Sequence, residues 1–240
     1  SAASDVYKRQ VHIGTLTLSN YFNANNRNIT SSQNVQLLPG RSYTITLQIG
    51  LGIQVAASDI NLTQNGCTAS DKNDLAKLRW ATGNLKSTGS TNYVWASSTD
   101  RGYYYTWYST YTGNTNINNT DPCSKLNTAY YGTGWRTPSK NELMKLARCT
   151  NKILTNSGMW FMNNSIGLFL PAAGCRQDGN GSNTSPTTDS GTDGYYWSSD
   201  IGNNNTGKRL YFGKRYNTAD VADHAKNAGL TVRCVKGTKQ

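Results

Sequence analysis

The chain has 240 residues, enough for one to two domains with a real core, and carries 24 Lys+Arg against 13 Asp+Glu for a formal charge of +11. Charged residues make up only 15% and apolar ones 36%, with 10% aromatic, a mix too rich in core-formers for a disordered chain. Heptads, collagen-type glycine periods and any run of eighteen apolar residues are absent, which excludes a coiled coil, a triple helix and a membrane-spanning helix within the chain. Short apolar runs separated by Gly and Asn read instead as a loop-rich, mainly β protein.

Ser1 to Gln10 back-translates in frame to the end of a transposase adapter used to fragment DNA, so residues 1–10 are set aside and the natural chain is expected to enter at Val11. From Val11 to Leu62 the pattern is strand-like. Pro39-Gly40 marks a turn, after which Tyr43, Ile45, Leu47 and Ile49 alternate with Ser42, Thr44, Thr46 and Gln48, the period of a half-buried strand. Ile53, Val55, Ile60 and Leu62 add one or two strands more, too few for a complete sandwich. The polar, aperiodic stretch at 64–74 reads as a linker, and a second domain is expected over 75–240.

Within that domain one segment is helical by pattern. Ser139 is an N-cap with Glu142 three residues on, as in a capping box, and Leu143, Met144, Leu146 and Ala147 follow on a helical stripe. Strands are expected at Leu168 to Ala172, Tyr195 to Ser198, Arg209 to Phe212 and Leu230 to Val235. Between them the loop from Gln177 to Asp193 has almost no apolar residue with which to join a core. In Arg209-Leu210-Tyr211-Phe212 the alternation turns Leu210 and Phe212 inward and leaves Arg209 and Tyr211 outward.

Four motifs carry a family resemblance. Gly134-Trp135-Arg136-Thr137-Pro138-Ser139 before the helix, Phe169-Leu170-Pro171-Ala172-Ala173-Gly174, Gly194-Tyr195-Tyr196-Trp197-Ser198-Ser199 and Gly229-Leu230-Thr231-Val232-Arg233-Cys234-Val235 resemble, in order, those of the Fibrobacter succinogenes major paralogous (FISUMP) domain. That family is grouped with the C-type-lectin-like fold. Leu37 to Ile45 is similar to the closing strands of fimbrillin-like sandwiches. The fold expectation is therefore α+β, mainly β: a partial fimbrillin-like sandwich over 11–63, then a C-type-lectin-like domain over 75–240. Trp135, Arg136, Pro138 and Trp197 are read as its core motif, the tryptophans inside and Arg136 bonding nearby backbone.

Five widely spaced cysteines exclude CxxC redox or zinc pairs and fit disulfides in an oxidising compartment. Four cysteines alone admit three connectivities. The lectin-like resemblance implies Cys123 with Cys234, with Cys149 and Cys175 as the accompanying pair and Cys67 left over. The calcium motifs of lectins are missing. Asp178, Asp189 and Asp193 offer at most weak calcium binding, and solvated loop carboxylates are the plainer reading, so no cofactor is expected. His224 reads as a surface histidine in a loop.

No nucleophile motif or phosphate loop is present, and the paired late cysteines of the sulfatase-modifying oxidases, relatives of the family, are not here; the expectation is a protein that is not an enzyme. Lys208, Arg209, Lys214, Arg215, Lys226, Arg233, Lys236 and Lys239 crowd the C-terminal end without any nucleic-acid motif, and anionic surface polymers are the partners expected rather than nucleic acid. The resemblance implies an exported cell-surface, fimbria-associated adhesion or ligand-binding protein, at the outer membrane or outside the cell, commonly held by a lipoprotein anchor. Its ligand is expected to be a glycan or a protein, contacted by Asn203, Asn204, Asn205, Arg209, Tyr211, Arg215, Tyr216 and Asn217. Related lectin-like scaffolds are diversified by retroelements at Asn-type codons near the gene's end, and Asn203, Asn204, Asn205, Asn217 and Asn227 with Tyr211, Tyr216 and Asp220 have the right residue types for that alternative.

Overall fold

A computed structural model describes residues 53–54, 66–87, 93–110, 117–163, 166–177, 188–216 and 218–240. The chain divides into two compact units, 1–47 and 48–240. The strand expected at 43–49 and nearly all of the fimbrillin-like segment lie outside the described residues. The second unit is mixed helix and strand, and mostly β.

It opens on β1 (Ile53–Gln54), which pairs antiparallel with β2 (Arg79–Trp80). The strand expected to close the N-terminal module therefore belongs to the sheet of the next domain. The presumed linker is also structured. Thr68 caps helix α1 (Ala69–Ala76) through a capping box: the Asp71 amide donates to Thr68 Oγ1 at 3.1 Å and the Thr68 amide donates to Asp71 Oδ2 at 3.1 Å. Only Leu75 of this helix is buried, which is why no amphipathic stripe announces it.

After α1 come β3 (Leu85–Ser87) and β4 (Tyr93–Trp95), a two-stranded ribbon, a 3-10 turn at Pro122–Lys125, the short α2 (Thr128–Tyr131) and β5 (Trp135–Arg136). Helix α3 (Lys140–Cys149) starts where the capping box places it. The Glu142 amide donates to Ser139 Oγ at 3.1 Å, and Ser139 N–H donates to Glu142 Oε2 at 2.7 Å. Fully buried Glu142 is also forked by Arg136, which reaches on to the Gly237 carbonyl. Leu143, Leu146 and Ala147 form the buried face; the helix packs on α1 and on the three-stranded sheet formed by residues 193–225. Met144 of the expected stripe is only half-buried.

A meander follows: β6 (Asn151–Leu154), β7 (Gly158–Asn163) and β8 (Ile166–Pro171). Then β9 (Asp193–Ile201), β10 (Thr206–Gly213) and β11 (Ala219–Ala225) make an antiparallel sheet with β10 in the centre. The chain closes on β12 (Val235–Lys236), which lies between β2 and β5, so the first and last parts of the domain share one sheet. Most of Leu230 to Val235, expected as a strand, is irregular and makes isolated bridges to Tyr105 and Tyr196.

Strand β9 is buried on both faces, which accounts for three successive aromatics. Tyr196 joins Leu210, Phe212, Phe161, Leu168 and α3 in one core cluster; Tyr195 and Trp197 join Trp107, Trp135, Leu230 and Val232 in a second. The indole of Trp197 donates to the Tyr105 carbonyl at 2.7 Å. Pro138 is buried and its carbonyl accepts from Ser199 N–H at 2.8 Å.

Two disulfides tie the unit together. Cys123 pairs with Cys234, linking the 3-10 turn to the approach to β12. Cys149 pairs with Cys67 and not, as expected, with Cys175, which is buried and takes part in neither disulfide. The reason is α1: it packs along α3 and delivers Cys67 to the end of that helix, an arrangement invisible while 64–74 read as a linker. Lys145 reinforces the contact, its Nζ lying 2.7 Å from Asp74 and 3.8 Å from Asp71.

Candidate ligand-binding face

The sheet β9-β10-β11 turns Tyr196, Leu210, Phe212 and Val221 toward the first core cluster. Cross-strand register then dictates what the other face carries. Tyr211 lies opposite Tyr195 and Asp220, Arg209 opposite Trp197 and Ala222, and Gly207 opposite His224. Gly207 is required here because a Cβ would sit 2.1 Å from Cδ1 of Trp107, whose ring covers it. Trp107 in turn donates to the Ser198 carbonyl at 3.1 Å and carries Lys226 Nζ 4.6 Å above its ring.

Arg209 is half-buried, its guanidinium carbon 4.4 Å from the centre of the Tyr195 ring and 5.6 Å from that of Tyr211. Past β10 the turn at Lys214–Tyr216 folds Tyr216 back. Its ring meets Tyr211 edge-on at 4.5 Å, and its hydroxyl lies 3.3 Å from that of Tyr195. Tyr195 OH donates to Asp189 Oδ2 at 2.9 Å, and Arg215 Nη2 donates to Asp189 Oδ1 at 2.7 Å. Burial, then hydrogen bonding to Tyr216 and Asp189, pushes the Tyr195 phenol well up, so it stays protonated.

His224 stands beside this group, parallel to Tyr195 at 6.5 Å and 6.1 Å from Trp197. Burial, aided by the Arg209 charge, lowers its pKa to about 4, so the ring is neutral at neutral pH. It is thus a strand residue on an aromatic face rather than a loop histidine. His224 Nε2 and Arg209 Nε are both buried and without a hydrogen-bond partner among the described residues.

Of the residues expected to bind, Arg209, Tyr211, Arg215 and Tyr216 are brought together here. Asn203, Asn204 and Asn205 form the exposed β9–β10 turn at the far end of β10, where Asn203 Oδ1 accepts from the Asn205 amide at 2.9 Å and Lys226 Nζ donates to the Asn204 carbonyl at 3.0 Å. Asn217 lies outside the described residues. Part of the crowded basic end is paired with carboxylates: Lys208 with Asp223 at 2.6 Å and Lys239 with Asp200 at 3.8 Å.

Arg233 is no surface charge at all. It is fully buried, donating to Asn84 Oδ1 (2.9 Å) and to the carbonyls of Ala81 (2.9 Å) and Phe169 (3.1 Å), and burial lowers its pKa to about 10. Asp189 and Asp193, weighed as calcium ligands, both face Arg215; Asp178 lies outside the described residues. Among the described residues no group of three His, Cys, Asp or Glu gathers as a metal site. Cys175, outside both disulfides, lies 3.2 Å from Thr188 Oγ1, and burial pushes its pKa up, away from a reactive thiolate.

Sequence reasoning missed Trp107, Tyr195, Asp189 and His224 on this face. Gly207 between two strand-like runs was the available signal of a close approach.

Fold and face together define a disulfide-linked, mainly β domain that presents tyrosines and an arginine on one half-open side of a three-stranded sheet. A family model described as Domain of unknown function (DUF8237) matches residues 157–235, from β7 to β12, and so spans the face apart from Trp107. No curated protein and no solved structure matches the chain.

Proposed function

We propose that this chain is a non-enzymatic, exported ligand-binding protein of the cell surface, its domain of the C-type-lectin-like kind, and that it takes a glycan or protein ligand on the second face of β9-β10-β11. The observation that carries the reading is the grouping of Tyr211, Tyr216 and Arg209, which none of the core clusters fully encloses. Tyr and Arg dominate binding surfaces because each offers large contact area and directed polar atoms, and here the rings of Tyr195 and Tyr211 already restrain Arg209.

The lectin-like element of the reading is supported by β2 and β12 lying side by side and by the Cys123–Cys234 link between the segment ahead of α3 and the last strand. Export is supported by two disulfides, which persist in oxidising compartments. No helix among the described residues is long and apolar enough to cross a membrane.

The test is an array of glycans and surface proteins probed with the whole oxidised chain. Saturable binding that Tyr211→Ala and Tyr216→Ala each weaken supports the proposal; binding indifferent to both substitutions contradicts it.

A further inference from the structure

Three of the cations around this face are held in place, while Lys214 is exposed on the turn beyond β10. Arg215 is held by Asp189, Lys208 by Asp223, and Lys226 lies over Trp107 with its Nζ on a carbonyl. Arg209 makes ring contacts but neither hydrogen bond nor ion pair among the described residues, and its Nε is buried. Its seat over the Tyr195 ring restrains the guanidinium while leaving its two Nη groups uncommitted, the condition for bidentate capture of a planar anion.

We propose that the ligand is a sugar chain bearing uronic acid residues, with Arg209 clasping the carboxylate and Tyr211 and Tyr216 packing against the neighbouring ring. This rests on the face being a binding surface, and it names the ligand's chemistry.

The planar fork of one guanidinium matches a planar carboxylate. The local carboxylates do not compete strongly. Asp189 and Asp193 face Arg215, Asp223 faces Lys208, and Asp220 Oδ1 accepts from the Val221 amide at 2.7 Å. The open stretch of β10 on this face, from Arg209 to Tyr211 with Tyr216 folded beside it, is about 7 Å along the strand at the usual rise, room for one or two sugar units. Flat rings beside phenol hydroxyls suit the alternating C–H faces and hydroxyl edges of a sugar better than they suit an acidic peptide, whose repeated carboxylates are read by clusters of arginine, whereas Arg215 here is already held by Asp189.

The experiment is calorimetric titration of the whole oxidised chain with oligogalacturonate, oligoalginate and hyaluronan fragments, their carboxyl-reduced counterparts, and a glutamate-rich peptide. At least one oligouronate should bind, with carboxyl reduction weakening it tenfold or more. Arg209→Gln should lose as much, Arg209→Lys nearly as much because the planar fork is gone, and Lys214→Gln should stay within twofold. Melting curves accompany each variant; should Arg209→Gln melt early, Arg209→Lys carries the comparison.

The inference is overturned by binding of none of the uronates, by equal affinity for the reduced sugars, by an equal loss in Lys214→Gln, or by equally tight binding of the peptide. If a neutral ligand binds and depends on Tyr211 and Tyr216 while no uronate does, the inference falls and the binding face stands. If no ligand responds to the tyrosine substitutions, the face itself falls.

Discussion

Replacing both Cys67 and Cys149 by Ala removes a crosslink that closes a sequence separation of 82 residues. In the chain-entropy model a loop of that size restricts the unfolded state by about 4.5 kcal/mol at 25 °C. Both cysteines are buried, so the small cavities left by two sulfur atoms add to the loss, while α1 keeps its Lys145 contacts to Asp71 and Asp74 and limits it. A loss of roughly 3 to 5 kcal/mol is expected, or a fall in Tm of about 6 to 20 °C at 2 to 4 °C per kcal/mol for a domain of this size. Denaturant unfolding of the full-length variant and the oxidised parent measures it, with the denaturant slope rising because the uncrosslinked unfolded chain exposes more surface. A change under 1 kcal/mol, or peptide mapping that joins Cys149 to Cys175, would refute the account of how α1 is anchored.

Trp197→Ala should cost about 3 to 5 kcal/mol as a buried aromatic that also loses its bond to the Tyr105 carbonyl, whereas Tyr211→Ala, half-buried on the open face, should cost under about 1 kcal/mol by the same chemical denaturation. Arg136→Ala should destabilise by about 3 kcal/mol or more, because it strands the buried Glu142 carboxylate, and Arg136→Ala/Glu142→Gln should recover part of this in a double-mutant cycle. For His224 the folded pKa lies below the ordinary value, so the unfolded chain binds the proton first. Stability from this group is complete above about pH 6.5 and is lost as pH falls toward about 4. Melting between pH 7 and 4 should show that slope, flattened in His224→Gln, and an unchanged slope in the variant would locate the titration elsewhere.

What was legible in the sequence is what short-range patterns encode. Helix α3 is announced by Ser139 and Glu142, and the two faces of β10 by the alternation of Arg209, Leu210, Tyr211 and Phe212, because those signals lie within one element. Helix α1 was not legible, since a capping box followed by a single buried leucine looks like polar linker; its tertiary anchors, Cys149 and Lys145, are some seventy or more residues away along the chain. Arg233 was read as surface charge because its acceptors, the carbonyls of Ala81 and Phe169, are distant in sequence. Strand β11 alternates too weakly in hydropathy to register. With it went His224, and with the covering Trp107 went the depth of the face that Arg209 and Tyr211 only partly foretold.

The claim that matters most is that ligand engages the β9-β10-β11 face. Trp160, on the outward side of β7 beside exposed Ile153, offers the obvious rival surface. The deciding measurement is the affinity of an array-selected ligand for Tyr216→Ala and for Trp160→Ala, each shown to melt like the parent. The account predicts at least a tenfold loss for Tyr216→Ala and a change within twofold for Trp160→Ala; the reverse pattern would contradict it.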